Sequence, residues 1–415
     1  MSILLKNVTL NNQITDVFIS ENKFKKIAPN QTVDVDKVID CSHFAILPAF
    51  YNCHSHAPMS IFRGISDDKN LFDWLNNDIW PREAKLTDEM IYTATKFSIM
   101  EMIKTGTVFF SDMYFGMKPL LKAVADMGIR AALSFGACDL FDTDKCKVEI
   151  EKINDFVDTQ NPNSELIQKV LAIHAVYTVS PELIKFNVDL AKEHNMRIHI
   201  HACETKKEVD DCIEKYGITP IAFFDRCNAL SDKTTLAHSV WLDDNDIKIL
   251  ADKGVWLCTN PSSNFKLCSG MFMLQKLLDS GCNITLGTDG MASNNELSML
   301  SEMKLCALSA KIQAQNPTAG SAEDVFKIAT VNGAKAFGIN AGEIKEGKLA
   351  DCILVNLDNH FLVPNYNLIS NMVYSADSST IDTVICNGKI LMQNHHIEGE
   401  EQIVDEMKKL SEFFR

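Results

Sequence analysis

The sequence predicts an α/β fold: a (β/α)8 TIM-type barrel with a small β-sandwich formed by the N- and C-terminal segments. The barrel follows from eight apolar, β-branched or aromatic runs near 45–52, 107–112, 129–135, 170–174, 196–201, 234–238, 255–259 and 283–289, which alternate with amphipathic helical stretches such as 86–104, 182–193, 243–252 and 296–315. The second domain follows from the ends. From Ile3 to about Asp40 the chain reads as short strands with turns at Asn11-Asn12 and Pro29-Asn30. After Gly342 a turn-rich stretch leads into the strands Cys352-Ile353-Leu354-Val355 and Thr383-Val384-Ile385-Cys386. The expected division is 1–44 for the first part of the sandwich, 45–342 for the barrel, and 343–415 for the second part with a C-terminal helix spaced on Ile403, Met407 and Leu410.

The length of 415 residues suits one large domain with a smaller companion. With 55 acidic against 40 basic residues the formal charge is −15, which argues against nucleic acid or an anionic membrane as partner. Neither a signal peptide nor a membrane span is visible, so the expected location is cytoplasmic. The thirteen cysteines are scattered singly with no CxxC pair, the pattern of reduced, buried thiols.

Chemistry concentrates where the runs end. Run 1 feeds into Asn52-Cys53-His54-Ser55-His56, and residues two apart on a strand share a face, so both imidazoles can reach one ion. Run 5 ends in His199-Ile200-His201-Ala202-Cys203-Glu204, run 6 in Leu236-Ala237-His238, and run 8 in Gly287-Thr288-Asp289. One such coincidence is weak evidence; four at strand ends, where barrel enzymes build their sites, point to a metal-dependent hydrolase. Three imidazoles and a carboxylate suit Zn²⁺, with Fe²⁺ the other candidate. Such an ion lowers the pKa of water from about 15.7 to about 7. Beside such an ion, Asp289 is the candidate base that accepts a water proton, His238 the group that orients water and stabilises developing charge, and Glu204 the candidate acid. Strand 4 ends in Ala172-Ile173-His174-Ala175 with no lysine to bridge two metals, which favours a single ion.

These residues resemble the amidohydrolase superfamily, and within it the 5'-methylthioadenosine/S-adenosylhomocysteine deaminases. The likeness runs nearly end to end and is carried by Asn52 to Met59, Arg63-Gly64, His201 to Thr205, Asn260 to Leu267, Gly287 to Asn295 and Gly347-Lys348-Leu349-Ala350-Asp351. It implies one metal, usually zinc, on His54, His56, His201 and Asp289, with the roles above for Glu204, His238 and Asp289. It implies further that Trp74 and Glu83 belong to a lid, Glu83 gripping ribose hydroxyls, and that His174 lies against the purine. Taken alone, these three read as a buried tryptophan, a helix N-terminal carboxylate and a core histidine. The Asn260-Pro261-Ser262-Ser263-Asn264 loop is either a substrate contact or a Pro/Asn turn.

One departure bears on substrate. Family members that accept S-adenosylhomocysteine carry an arginine just after strand 3, where this chain has Phe135, with Lys145 or Lys147 as partial substitutes. The expected preference is therefore for uncharged 5' groups, as in 5'-methylthioadenosine, 5'-deoxyadenosine or adenosine, with S-adenosylhomocysteine the less favoured candidate. The alternatives are a deaminase of guanine, a pterin or a triazine, and a noncatalytic barrel scaffold. A small molecule is the expected partner, and a homo-oligomer is compatible with the resemblance.

Overall fold

The computed structural model describes residues 2–414. Eight parallel strands, each hydrogen-bonded to the next in chain order, make the barrel: Phe50–Ser55, Thr107–Tyr114, Arg130–Phe135, Ile167–Ile173, Ile198–Ala202, Thr234–His238, Trp256–Thr259 and Asn283–Leu286. Strands 2 to 8 match their runs to within about three residues, because strands covered on both faces are read as continuous apolar stretches. The seam between strands 8 and 1 is held beyond the regular ladder. Asp289 N–H donates to the His54 carbonyl at 3.0 Å, and the Asn52 side chain pairs with Thr288 through bonds of 2.7 and 3.0 Å. A Cβ on Gly287 would meet Asn260 Oδ1 at 2.6 Å and His54 N at 2.8 Å, so glycine lets the backbones close here.

Several outer helices start on side-chain caps. Thr87 accepts from Met90 N ahead of Asp88–Lys104, Ser180 from Leu183 N ahead of Pro181–Glu193, and Asp243 with Asp246 forms a capping box on Asp244–Lys253. No helix among the described residues is long and apolar enough to cross a membrane.

The first run differs from expectation. Phe44–Pro48 is a strand of the terminal sheet, paired antiparallel with Cys352–Asn356, and the barrel strand begins only at Phe50. That sheet contains eight strands drawn from both ends of the chain, with Ile3–Leu10 paired to Gln13–Ser20 on one side and to Lys37–Asp40 and Phe44–Pro48 on the other. Alternate residues Ile3, Leu5, Val17, Ile46, Leu354 and Ile385 share a small core of their own. Residues of opposite parity, Ile353, Val355, Val384 and Cys386, join the barrel core instead.

A buried ion pair ties the two parts together. Arg130, on barrel strand 3, donates to Asp351 at 2.8 Å; Tyr51 O–H and Asn387 N–H also donate to Asp351, at 2.7 and 2.6 Å. The helix Glu400–Ser411 docks with Ile403 and Met407 buried and Lys104 paired to Glu400 at 2.7 Å.

Candidate active site

Every strand-end residue picked from the sequence lies at the C-terminal mouth of the barrel. His54 and His201 sit on strands 1 and 5, His56 follows strand 1, and His238 ends strand 6. Cys203, His238 and Asp289 have left-handed φ values of 54°, 71° and 60° where their strands give way to loops. Each such residue costs roughly 1–3 kcal/mol, held in place by surrounding structure and typical of functional sites.

The imidazoles are fixed by their Nδ1 atoms. His56 Nδ1 donates to the Met113 carbonyl at 2.5 Å, His201 Nδ1 to the His174 carbonyl at 2.8 Å, and His238 Nδ1 to Asn264 Oδ1 at 2.9 Å. An Nδ1 that donates leaves Nε2 as the free lone pair, and this outer bonding is how metal-binding histidines are set. His54 Nδ1 lies 3.0 Å from His199 Nε2, and His199 Nδ1 lies 3.1 Å from Ser111 Oγ.

Metal-ligand atoms of His54, His56 and His201 all lie within 4.8 Å of one another, as do those of His54, His238 and Asp289. Asp289 Oδ1 is 3.5 Å from His54 Nε2 and 3.3 Å from His56 Nε2. A tetrahedral ion with bonds of about 2.0–2.1 Å holds its donors about 3.4 Å apart. His54 Nε2 is moreover buried with no hydrogen-bond partner, a cost that a cation would remove. The donor set fits a divalent metal.

Burial pushes the His54 and His174 imidazoles down to about 4, which keeps them neutral. Burial also raises the Glu204 carboxyl above its usual range, against the opposing pull of His238. For His238 burial disfavours charge, but Glu204 and Asp289 outweigh it and raise its pKa. His238 Nε2 stands 3.7 Å from Glu204 Oε2.

A cavity of about 420 Å³ opens in front of these groups, a size suited to a small molecule. Trp74, Glu83 and His174 line it together with Glu204, His238 and Asp289. Trp74 is buried and Glu83 half-buried, both in the short helical turns Leu71–Trp74, Leu75–Ile79 and Trp80–Glu83 that stand over the mouth. His174 Nδ1 pairs with Thr178 Oγ1 at 2.8 Å.

Three expectations change. Phe135 does not face this cavity: it is buried and borders an outer groove, while Gly136 and Cys138 form the shared wall. The parity of strand 3 decides this, since successive side chains alternate faces. Neither Lys145 nor Lys147 reaches the cavity; both are exposed, and Lys147 pairs with Asp144 at 3.0 Å. The Asn260 to Asn264 stretch, which opens the short helix Pro261–Lys266, also lies outside the cavity lining and acts on the site groups instead. Ser263 Oγ donates to Asp289 Oδ2 at 2.6 Å and Asn264 holds His238.

The sequence pointed to Ser263 and Asn264 only as a substrate contact or a turn, and gave no role to His199, Glu208 or Ser269. For His199 a signal existed, its two-residue spacing from His201 on the same strand. Glu208 stands three residues after Thr205, the spacing of a capping box, and accepts from the N–H groups of Cys203 and Glu204 at 2.8 Å each.

A (β/α)8 barrel that gathers imidazoles and a carboxylate at its C-terminal mouth is the arrangement of the metal-dependent hydrolases. Residues 45–391 match the model of the amidohydrolase family. The chain is 43% identical over 412 residues to 5'-deoxyadenosine deaminase of Methanosphaera stadtmanae, covering 97% of each protein. It is 45% identical over 399 residues to 5-methylthioadenosine/S-adenosylhomocysteine deaminase of Thermococcus kodakarensis, covering 94% of each. The zinc-bound structure of an adenosine deaminase from Xanthomonas campestris superposes with a TM-score of 0.92 at 28% identity, over 100% of this chain and 98% of that one. Guanine deaminase from C. acetobutylicum, at 22% identity and a TM-score of 0.85 over 94% of this chain and 100% of that one, shares the fold. The chain belongs to the amidohydrolase family.

Proposed function

We propose that this protein is a metal-dependent hydrolytic deaminase of adenosine-type nucleosides, converting 5'-deoxyadenosine, 5'-methylthioadenosine or adenosine to the inosine analogue and ammonia. The observation that carries this reading is the facing of Glu204 and His238 beside the Asp289 cluster on one nucleoside-sized cavity. The similarity to nucleoside deaminases over nearly the whole chain supports the substrate class.

His54, His56, His201 and Asp289 would hold one Zn²⁺, or Fe²⁺. Bound there, the ion supplies the Lewis acidity that makes water a nucleophile at neutral pH. Water adds to the ring carbon that bears the amino group, and Asp289 takes the proton the water loses. Glu204, whose pKa burial raises, gives a proton to the adjacent ring nitrogen. His238 orients the water and stabilises the negative charge that develops on it. Asp289 passes that proton to the amino group, the C–N bond breaks and ammonia leaves, and the remaining hydroxyl proton of the adduct restores the Glu204 carboxyl. Glu83 binds the ribose hydroxyls, Trp74 covers the nucleoside, and His174 lies against the purine, all three from the cavity wall.

Among the described residues, no lysine or arginine lines the cavity. A carboxylate on the 5' substituent has no cationic partner there, which supports uncharged 5' groups over S-adenosylhomocysteine. Ammonia release from 5'-deoxyadenosine and 5'-methylthioadenosine, set against guanine and a pterin, tests the assignment. Turnover confined to guanine or the pterin overturns it.

A further inference from the structure

Ser269 lies on the loop after barrel strand 7, and the reaction outlined above makes no use of it. It is 3% exposed, and its hydroxyl donates to Glu204 Oε1 at 3.0 Å. Its backbone N–H donates to the Asn264 carbonyl at 2.8 Å, while Asn264 Oδ1 holds His238 Nδ1 at 2.9 Å. His238 Nε2 faces Glu204 Oε2 at 3.7 Å, so the four residues form a closed ring. One short loop grips both Glu204 and His238.

The loop is itself braced from outside. The Trp241 indole donates to the Ser269 carbonyl at 2.6 Å. At Gly270 the backbone has φ 139°, and a Cβ there would meet Val240 Cγ1 at 2.7 Å and Trp241 Nε1 at 3.1 Å. Beneath the ring, Glu208 anchors the main chain of Glu204. The remaining freedom of Glu204 is rotation of its side chain, and Ser269 is the hydrogen-bond donor that removes it.

A neutral carboxyl can carry its proton on either oxygen. The carbonyl oxygen of a neutral carboxyl is its stronger acceptor, so a hydroxyl donating to Oε1 favours the proton on Oε2, the oxygen facing His238. We infer that Ser269 is a positioning residue for proton transfer, holding the Glu204 carboxyl with its proton-bearing oxygen on the side of the cavity that His238 lines. This rests on the assignment of Glu204 as the proton donor.

A positioning role predicts a loss in kcat and none in binding. In the metal-loaded protein, Ser269→Ala lowers kcat about 10- to 100-fold, less than the roughly 10²- to 10⁴-fold that the general acid itself contributes. KM stays within about twofold and bound metal and Tm are unchanged, since Ser269 holds only the acid. Ser269→Thr, which keeps the hydroxyl, restores most of the rate. Added to Glu204→Gln, Ser269→Ala costs no further activity, because the two act through one group. Unchanged kcat in Ser269→Ala, or the same fractional loss in the Glu204→Gln background, overturns the inference. Wild-type kcat in Glu204→Gln alone overturns the assignment of the acid itself, whatever Ser269→Ala does.

Discussion

His54 Nδ1 rests 3.0 Å from His199 Nε2, and both rings are fully enclosed in the barrel. This contact fixes the orientation of a proposed metal ligand through a residue that never faces the cavity. Loss of such an outer partner weakens metal binding by about 10- to 100-fold. His199→Ala is expected to release its metal to a competing chelator at correspondingly lower chelator concentration. Retention equal to the wild type would remove His199 from the support of the site.

Glu204 and His201 separate chemistry from metal binding. Glu204→Gln is expected to keep its metal while kcat falls about 10²- to 10⁴-fold, the usual worth of a general acid. His201→Ala is expected to lose metal and activity together. Parallel measurements of bound metal and kcat distinguish the two.

Substrate choice follows from the walls of the cavity. The partner that a 5' carboxylate lacks here would be worth roughly 1.5–3 kcal/mol. The kcat/KM for S-adenosylhomocysteine is therefore expected to be at least about 10-fold below that for 5'-methylthioadenosine. If S-adenosylhomocysteine proved the better substrate, a cationic contact would have to exist that the lining residues do not provide.

Burial raises the Glu83 carboxyl to about 7. Only the ionised form offers both oxygens as acceptors to ribose hydroxyls, so nucleoside binding strengthens as pH rises through that value. The expected profile is a KM that falls between pH 6 and pH 8. Glu83→Gln flattens it, while the pH dependence of kcat persists. A KM independent of pH in the wild type would separate Glu83 from the ribose.

Asp351 lies 300 residues beyond Tyr51, yet accepts hydrogen bonds from Tyr51, Arg130 and Asn387 in a buried cluster. Asp351→Ala leaves the Arg130 guanidinium buried without its counter-charge, at a cost of about 3–5 kcal/mol. Denaturant unfolding measures that loss, and a change under about 1 kcal/mol would show that water or another group compensates.

The barrel was legible because each strand is buried on both faces and its helices carry the other period. The strand-end groups were legible because HxH and a terminal Asp are unusual on strands otherwise made of apolar residues. The boundary at Ala49 was not: the apolar run continues through it, and only hydrogen-bond partners divide Phe44–Pro48 from Phe50–Ser55. Facing was the other gap. Phe135 and Gly136 are neighbours in sequence but meet different cavities, and the polar atoms of Ser263 and Asn264 turn toward Asp289 and His238. His199 was hidden among apolar strand residues, with its spacing to His201 as the clue.

The most direct test is a titration of zinc into chelator-stripped protein with 5'-deoxyadenosine present, following ammonia. The rate is expected to rise in proportion to added zinc and to break at one ion per chain, as for a single set of donors at His54, His56, His201 and Asp289. No ammonia at any zinc content would contradict the deaminase assignment, and a break at two ions would contradict the single site.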